Sequence, residues 1–522
     1  MALSPACTCL SCPAHPGAAA AAAGAGSAGF GSSRDRFTSL VGWLGGQEAA
    51  AMTHSGLEGR LQADGRGLLR QLIQDHLELR AARENRLPAG RVADAGGVCR
   101  GNAEAGHQRA LATVFGEVEV RRIAYRKPGH PNLHPADAAL NLPGEKHSHG
   151  LRRLAAIESP RGSFGGAAAA IERTTGQRIG KRQVEGLAAA AAADFGAFYA
   201  GRVPPLADAG DLLVLSCDGK GVVMRPGALR RRAAAKAARA APKLATRLSR
   251  GEVRTRKRMA EVGAVYDAAA APRSPADILP ATGDQRRHAR PGPAARGKWL
   301  TASIAADTAT VISAVFDHAQ RRDPTCTRTW VALVDGNPDQ LHQIHGEAAI
   351  RNIPVAIIID FVHVIEYLWR AAWSFHDGGD PAAETWVRRH ALAILSGDTA
   401  HVAAAIRRQA TTTGLSRTRR AGADTCATYL TSKHPYLDYP TALSRGWPIA
   451  TGVIEGACRH LVKDRMDITG ARWGLDGAEA ILKLRAITTN GDFDEYWRYH
   501  LAQEQHRVHE SRYAGNIIPQ AA

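Results

Sequence analysis

The sequence predicts an α/β protein: a mixed β-sheet flanked by helices, carrying an all-helical insertion and preceded by a mostly helical region. Three observations predict it. Apolar runs of strand length end in Asp-Gly at two places, 212–219 and 330–336. From about residue 298 onward, strand-like and helix-like periods alternate, as in a layered α/β sheet. Between residues 377 and 439 only helical spacing is found, with no strand signal.

The elements follow in chain order. Residues 1–60 are rich in Ala, Gly and Ser, lack periodicity and read as a disordered tail. Cys7, Cys9 and Cys12 lie there with His15 nearby, but a structural zinc site draws on a second ligand pair, and none is evident. Residues 61–205 form the mostly helical N-terminal region. Leu61, Leu68, Leu72, Ile73 and Leu77 predict a helix over 57–85, and alternation predicts strands at 114–120 and 121–126. Residues 163–193 have the form helix, short turn, helix, with Lys181, Arg182 and Gln183 opening the second helix. Two readings stay open. One is a helix-turn-helix that meets base edges and phosphates there; the other is an ordinary hairpin with a solvated basic end.

Residues 206–376 carry the first part of the sheet. Strands are predicted at 211–224, 257–266, 298–305, 328–335 and 355–360, and helices at 310–320, 339–350 and 361–374. A basic, Ala-rich insertion fills 225–257. Residues 292–299 (GPAARGKW) match a phosphate-loop spacing. Trp299 stands where Ser or Thr is required and no strand precedes, so that motif is rejected. Residues 377–445 are the helical insertion, 446–490 return to the core with a helix from Gly452, and 491–522 read as a C-terminal helical tail.

The 522-residue chain has 67 Lys plus Arg against 49 Asp plus Glu, a net charge of +18. An excess of that size points to a polyanion partner, most often nucleic acid. Eight cysteines in so long a chain make no disulfide framework, and reduced thiols fit a cytoplasmic protein. The most apolar stretch, 353–369, contains Asp360, His363 and Glu366, so no membrane span is expected.

Three acidic residues carry the chemistry. Asp218 and Asp335 each end an apolar run, and strand carboxyl ends are where α/β sheets place ligands. Glu455 lies among Val453, Ile454, Gly456 and Ala457 on a predicted helix, with Arg459 four residues on as a competing salt-bridge partner. Two strand-end aspartates and a helical glutamate, in that order, suit an RNase H-like site in which carboxylates hold two hard cations for phosphoryl transfer. Asp360 and His363 form D-x-x-H at a strand-to-helix junction, read from composition as an N-cap beside a core histidine. Lys220, Lys463, Arg465 and Arg472 are candidates for phosphate contact. Trp473 is either a stacking platform for an unpaired base or a core residue.

The blocks VLSCDGKGVVM, KRMAEVGAVY, KWLTAS, TWVALVDGN, IIIDFVHVIEYLW and the long run from KHPYLDYPTALSRGWPIATGVIEGACRHL to ILKLRA cover most of 212–513. On them the chain resembles bacterial insertion-sequence transposases of the ISKra type, of the DDE class with Mutator-like relatives. The resemblance implies an RNase H-like core with a helical insertion. It implies Asp218, Asp335 and Glu455 as catalytic and metal-holding residues, and it assigns Asp360 and His363 to the aspartate-histidine signature beside them. It further implies two Mg²⁺ ions (or Mn²⁺), metal-dependent strand cleavage and transfer, double-stranded DNA ends and target as partners, and a homodimer in a bacterial, nucleoid-associated setting. A catalytically inactive DNA-binding derivative and a structure-specific nuclease are the rival readings.

Overall fold

The computed structural model describes residues 28–520, apart from 89, 206, 240–243, 245, 248, 250–255, 281–287 and 469. Cys7, Cys9, Cys12 and most of the basic insertion after Arg239 lie outside the described residues. The chain divides into two compact units. One holds the chain through Glu158, Gly165–Lys181 and Tyr499 onward; the other holds Ser159–Phe164 and Arg182–Arg498.

The first unit departs from the expected disordered tail, since residues 31–44 and 54–60 are helical. Helices span Gly31–Leu44 and His54–Ala82. They are tied together where Asp75 accepts from the Ser33 backbone N–H at 3.0 Å and its hydroxyl at 2.6 Å. Thr53 caps the second helix, its hydroxyl accepting from the Gly56 N–H. An antiparallel three-stranded sheet follows: β1 (Asn102–Thr113), β2 (Gly116–Lys127) and β3 (His130–Leu133). The two strands expected at 114–120 and 121–126 are one continuous strand, β2. The turn lies earlier, at residues 114 and 115, because Gly116 takes a φ of 141° that closes the hairpin. Residues 499–522 are not a separate tail. Within this unit Glu504 pairs with Arg152 at 2.5 Å, and Tyr513 bridges Asp94. Helices Phe164–Thr175 and Lys181–Ala191 form as expected, with Gly176 at φ 73° after the first. The division between units falls between Lys181 and Arg182, inside the candidate helix-turn-helix.

The second unit is a mixed α/β layer. Its strands are β4 (Leu212–Val223), β5 (Lys257–Ala268), β6 (Ala295–Ser303), β7 (Trp330–Val334) and β8 (Val355–Ile359), ordered β6-β5-β4-β7-β8. β4–β5 and β5–β6 are antiparallel; β4–β7 and β7–β8 are parallel. Their apolar runs are continuous because both sheet faces are covered. On one face Leu215, Cys217, Ala332 and Val334 meet Ile312, Phe316 and Ile344, from helices Thr308–Arg322 and Pro338–Arg351. On the other, Leu212, Val214, Val331, Leu333 and Ile358 share a core with helix Phe361–Phe375 and with helices Pro381–Leu395, Thr399–Thr412 and Arg417–Lys433. Each such fully buried Leu, Ile or Val contributes about 1.5–3 kcal/mol over an exposed one. Asp307, Asn337, Asp360, Asp380 and Ser416 each cap a helix by accepting from a backbone N–H. The free edge of β6 is closed by Asn490, whose amide accepts from Leu300 N–H and donates to Leu300 C=O. Among the described residues no helix is long and apolar enough to cross a membrane.

Candidate active site

The site is built where the parallel strands stop. β4 and β7 pair in register through Leu215 and Ala332, and β7 and β8 through Val334 and Ile359. Asp218 lies three residues beyond Leu215 within β4, Asp335 three beyond Ala332 and just past the end of β7, and Asp360 just past the end of β8. Side chains alternate faces along a strand, so Asp218 shares a face with Val214.

The two Asp-Gly pairs differ. Asp335-Gly336 is a true strand end. Gly336 has φ 88°, and a Cβ there would lie 2.8 Å from the Ile359 side chain, so only glycine fits. Asp218-Gly219 is not a strand end: β4 runs on to Val223, paired throughout with β5, Asp218 opposite Val262. Gly219 instead leaves room for the Glu261 carboxylate, 3.3 Å from where a Cβ would stand. Burial raises the Glu261 carboxyl above its ordinary range.

Glu455 is exposed on the short helix Gly452–Ala457, which continues as a wider-wound turn over Cys458–Lys463. This segment is hydrogen-bonded to the sheet at two points. The Thr451 hydroxyl donates to Asp360 at 2.6 Å and lies 3.2 Å from Glu455 Oε1. The Cys458 thiol donates to Asp218 Oδ2 at 3.2 Å. Thr451 and Cys458 were not legible as site residues, since only the folded chain brings them to the aspartates. Burial, and then Asp218, push the Cys458 thiol well above the usual range, so it stays protonated and acts as a donor. Asp360 is 3% exposed and its carboxyl is raised by burial. It caps helix Phe361–Phe375 through Val362 N–H, as composition suggested, and its other oxygen accepts from the Thr451 hydroxyl. His363 lies 3.6 Å from Glu366 and edge-on to Tyr367 and Tyr429, and the Tyr429 hydroxyl donates to the Asp335 carbonyl.

Arg459, the rival partner for Glu455, points elsewhere and reaches Asp464 at 3.9 Å. No Lys or Arg forms an ion pair with Asp218, Asp335, Asp360 or Glu455 among the described residues. Their oxygens meet only neutral donors: Gly219 N–H, Asn337 N–H, Val362 N–H, Thr451 and Cys458. Carboxylates suit a hard cation. In these side-chain positions, however, no group of three or more His, Cys, Asp or Glu among the described residues could hold a metal ion. The shared ligation expected of Asp218, Asp335 and Glu455 is therefore not formed in these side-chain positions.

Two expected DNA contacts are buried. Arg465 is 3% exposed; its guanidinium donates to the Ser159 carbonyl and lies 4.6 Å over the Trp473 ring, and burial lowers it to about 10. Trp473 is 5% exposed, donates to the Met466 carbonyl and meets Phe164 edge-on. The core reading of Trp473 is the one found. Lys181, Arg182, Gln183, Lys220, Lys463 and Arg472 are exposed. Arg472 is held beside the far end of β4, where Trp473 N–H donates to Val223 C=O and Arg225 N–H to Trp473 C=O.

No protein-family model matches the chain, and comparison with curated proteins finds no match either.

Proposed function

We propose that this chain is a DNA transposase of the DDE class with an RNase H-like core, in which Asp218, Asp335 and Glu455 are the catalytic carboxylates. The observation that carries the reading is that Asp218 and Asp335 each follow the paired residues Leu215 and Ala332 by three positions on adjacent parallel strands, with the Glu455 segment hydrogen-bonded to Asp218 and Asp360. Four acids at one end of a buried sheet, with no cationic side chain to neutralise them, form a centre that calls for positive charge from outside. Two Mg²⁺ ions (or Mn²⁺), once bound, would supply a polarised nucleophile and stabilise the leaving oxygen. To reach them the three carboxylates would turn out of the hydrogen bonds they make here.

The chain's own residues do the rest. Thr451 holds Asp360, and Cys458 holds Asp218 until that carboxylate turns toward an ion, so the Glu455 segment stays anchored to the sheet through Asp360. Lys220, two residues beyond Asp218, and Arg472, beside the end of the same strand, mark a basic line of about 10 Å at roughly 3.3 Å per residue, along which a phosphate backbone would lie. Lys463 adds to it. Lys181, Arg182 and Gln183 would meet duplex DNA at the transposon's terminal inverted repeats. Two ends and a target must be held at once, which favours a homodimer in a nucleoid-associated, cytoplasmic setting.

The test is nicking of duplex DNA carrying the element's ends, against a scrambled duplex, with and without Mg²⁺ or Mn²⁺. The reading expects metal-dependent nicking of the end-bearing duplex and loss of two or more orders of magnitude in Asp335→Asn, since the carboxylate is worth several kcal/mol in the transition state. Equal cleavage of both duplexes means a structure-specific nuclease. Salt-sensitive binding without cleavage means an inactive DNA-binding derivative.

A further inference from the structure

Helix Phe361–Phe375 leads directly away from Asp360 and exposes an aromatic surface that the site does not use. Trp369 and Trp373, one turn apart, stack at 5.3 Å between ring centroids, and Trp373 remains 45% exposed. Arg370 lies between them in sequence, exposed, with its guanidinium 5.0 Å over the Tyr367 ring and 3.9 Å from Glu366. At the helix end the exposed Arg419 donates to the carbonyl of Ser374, the residue after Trp373, at 3.3 Å and pairs with the exposed Asp377 at 2.8 Å. The helix is fixed to the candidate site: Tyr367 stacks on Tyr429 at 3.9 Å, and Tyr429 donates to the Asp335 carbonyl.

We propose that Trp369 and Trp373, with Arg370 and Arg419, form a stacking platform for unpaired DNA nucleotides leaving the candidate active site. This deepens the transposase reading and rests on it for the identity of the strand. Bases stack on exposed aromatic faces whatever their sequence, and interleaved guanidinium groups follow the phosphates. Trp369 packs against the core below, and an indole left nearly half in water on top of it is otherwise a poor arrangement, since large aromatics are usually buried. At 1.5 Å per residue, Trp369 and Trp373 lie about 14 and 20 Å along the helix from Asp360. That is roughly four to six base steps at 3.4 Å each. The role is the one the sequence suggested for Trp473, which is buried.

The experiment measures binding of the full chain to a fluorescent single-stranded oligothymidylate and to a duplex of equal length, without metal, together with sedimentation of the free protein. Trp373→Ala should weaken single-strand binding by roughly 5- to 100-fold, the worth of about one stacked base. Duplex binding and melting temperature should not move, and Trp373→Phe should recover most of the loss. Arg370→Ala should flatten the salt dependence of single-strand binding by about 0.7 in log–log slope. Unchanged single-strand affinity in Trp373→Ala overturns the proposal. So does equal loss on duplex. Conversion of a dimer to a monomer at unchanged oligonucleotide affinity also overturns it, because the surface then belongs to a second copy. The catalytic reading fails separately, through the absence of metal-dependent nicking in the parent protein.

Discussion

Where β4 begins, Asp211 and Asp267 are paired with guanidinium groups; near where β7 and β8 stop, Asp218, Asp335 and Asp360 meet none among the described residues. Asp267 accepts from Arg322 at 2.9 Å and from Arg328 at 2.7 Å, all three nearly excluded from water. Asp211 accepts from Arg296 at 2.6 Å. Arg322 also donates to His318, whose ring stacks flat on Trp299 at 4.1 Å. Both ends belong to the same strands, yet one is neutralised internally and the other carries uncompensated acid. A buried ion pair that is complete at rest serves the fold. Acids left with only neutral donors raise the local demand for a cation, which is what a functional centre needs. The difference teaches that acid clusters in a sheet are sorted by their partners rather than by their number.

The largest effect separating the two ends should come from Asp267→Ala. It leaves two buried guanidinium groups without a counter-charge and should cost about 3–5 kcal/mol in urea unfolding. Asp335→Asn at the other end should cost less than about 1 kcal/mol in the same measurement, because its carboxylate has no cation to lose. A comparable loss at both positions would erase the contrast.

Next in size is a pH effect at the paired end. Burial, and then Arg322, push the His318 imidazole down to about 2 from 6.5. The unfolded chain takes up that proton near pH 6.5, while the folded chain resists it until about pH 2. Stability is therefore full above 6.5 and falls as pH drops below it, by about 2 kcal/mol between pH 6.5 and 4.5. His318→Gln keeps an acceptor for Arg322 and should remove most of that slope in denaturation curves taken across the range.

Thr451→Val should cost about 1–2 kcal/mol, since it strips a donor from the buried Asp360 oxygen. Any lost nicking should be regained by Thr451→Ser. The smallest effect is expected of Arg459→Ala. Its partner is the exposed Asp464, not Glu455, so neither stability nor nicking should change measurably. A clear loss of nicking there would return Glu455 to the role of a surface salt bridge.

Much of the second unit was legible in the sequence. The strands at Lys257–Ala268, Trp330–Val334 and Val355–Ile359, and the helices between and after them, lie within about two residues of the expected bounds at most ends. Their apolar period and their Asp, Asn and Ser caps are local signals. The first unit was harder. Gly31–Leu44 is helical although only Ser33 in it is buried, and its Ala-, Gly- and Ser-rich surroundings hid it. β1 carries a run of half-exposed residues in which no clean alternation stands out. Arg465 looked like a surface residue because a basic loop usually is one, and Trp473 beyond it could be read either way. Packing against Phe164 and Ser159, some three hundred positions earlier, could not be read from their neighbours in the chain.

By itself the sequence determined which segments become strand or helix, and it marked Asp218, Asp335 and Glu455, because hydrogen-bond periodicity, capping and turn chemistry act over a few residues. Only the tertiary structure decided which acids would be matched by arginine and which left bare. It carried β4 on past Asp218, gave Asp218 and Asp360 the donors Cys458 and Thr451, and exposed Trp373 while enclosing Trp473. Those outcomes depend on desolvation and charge pairing between residues far apart in the chain, and no local pattern encodes them.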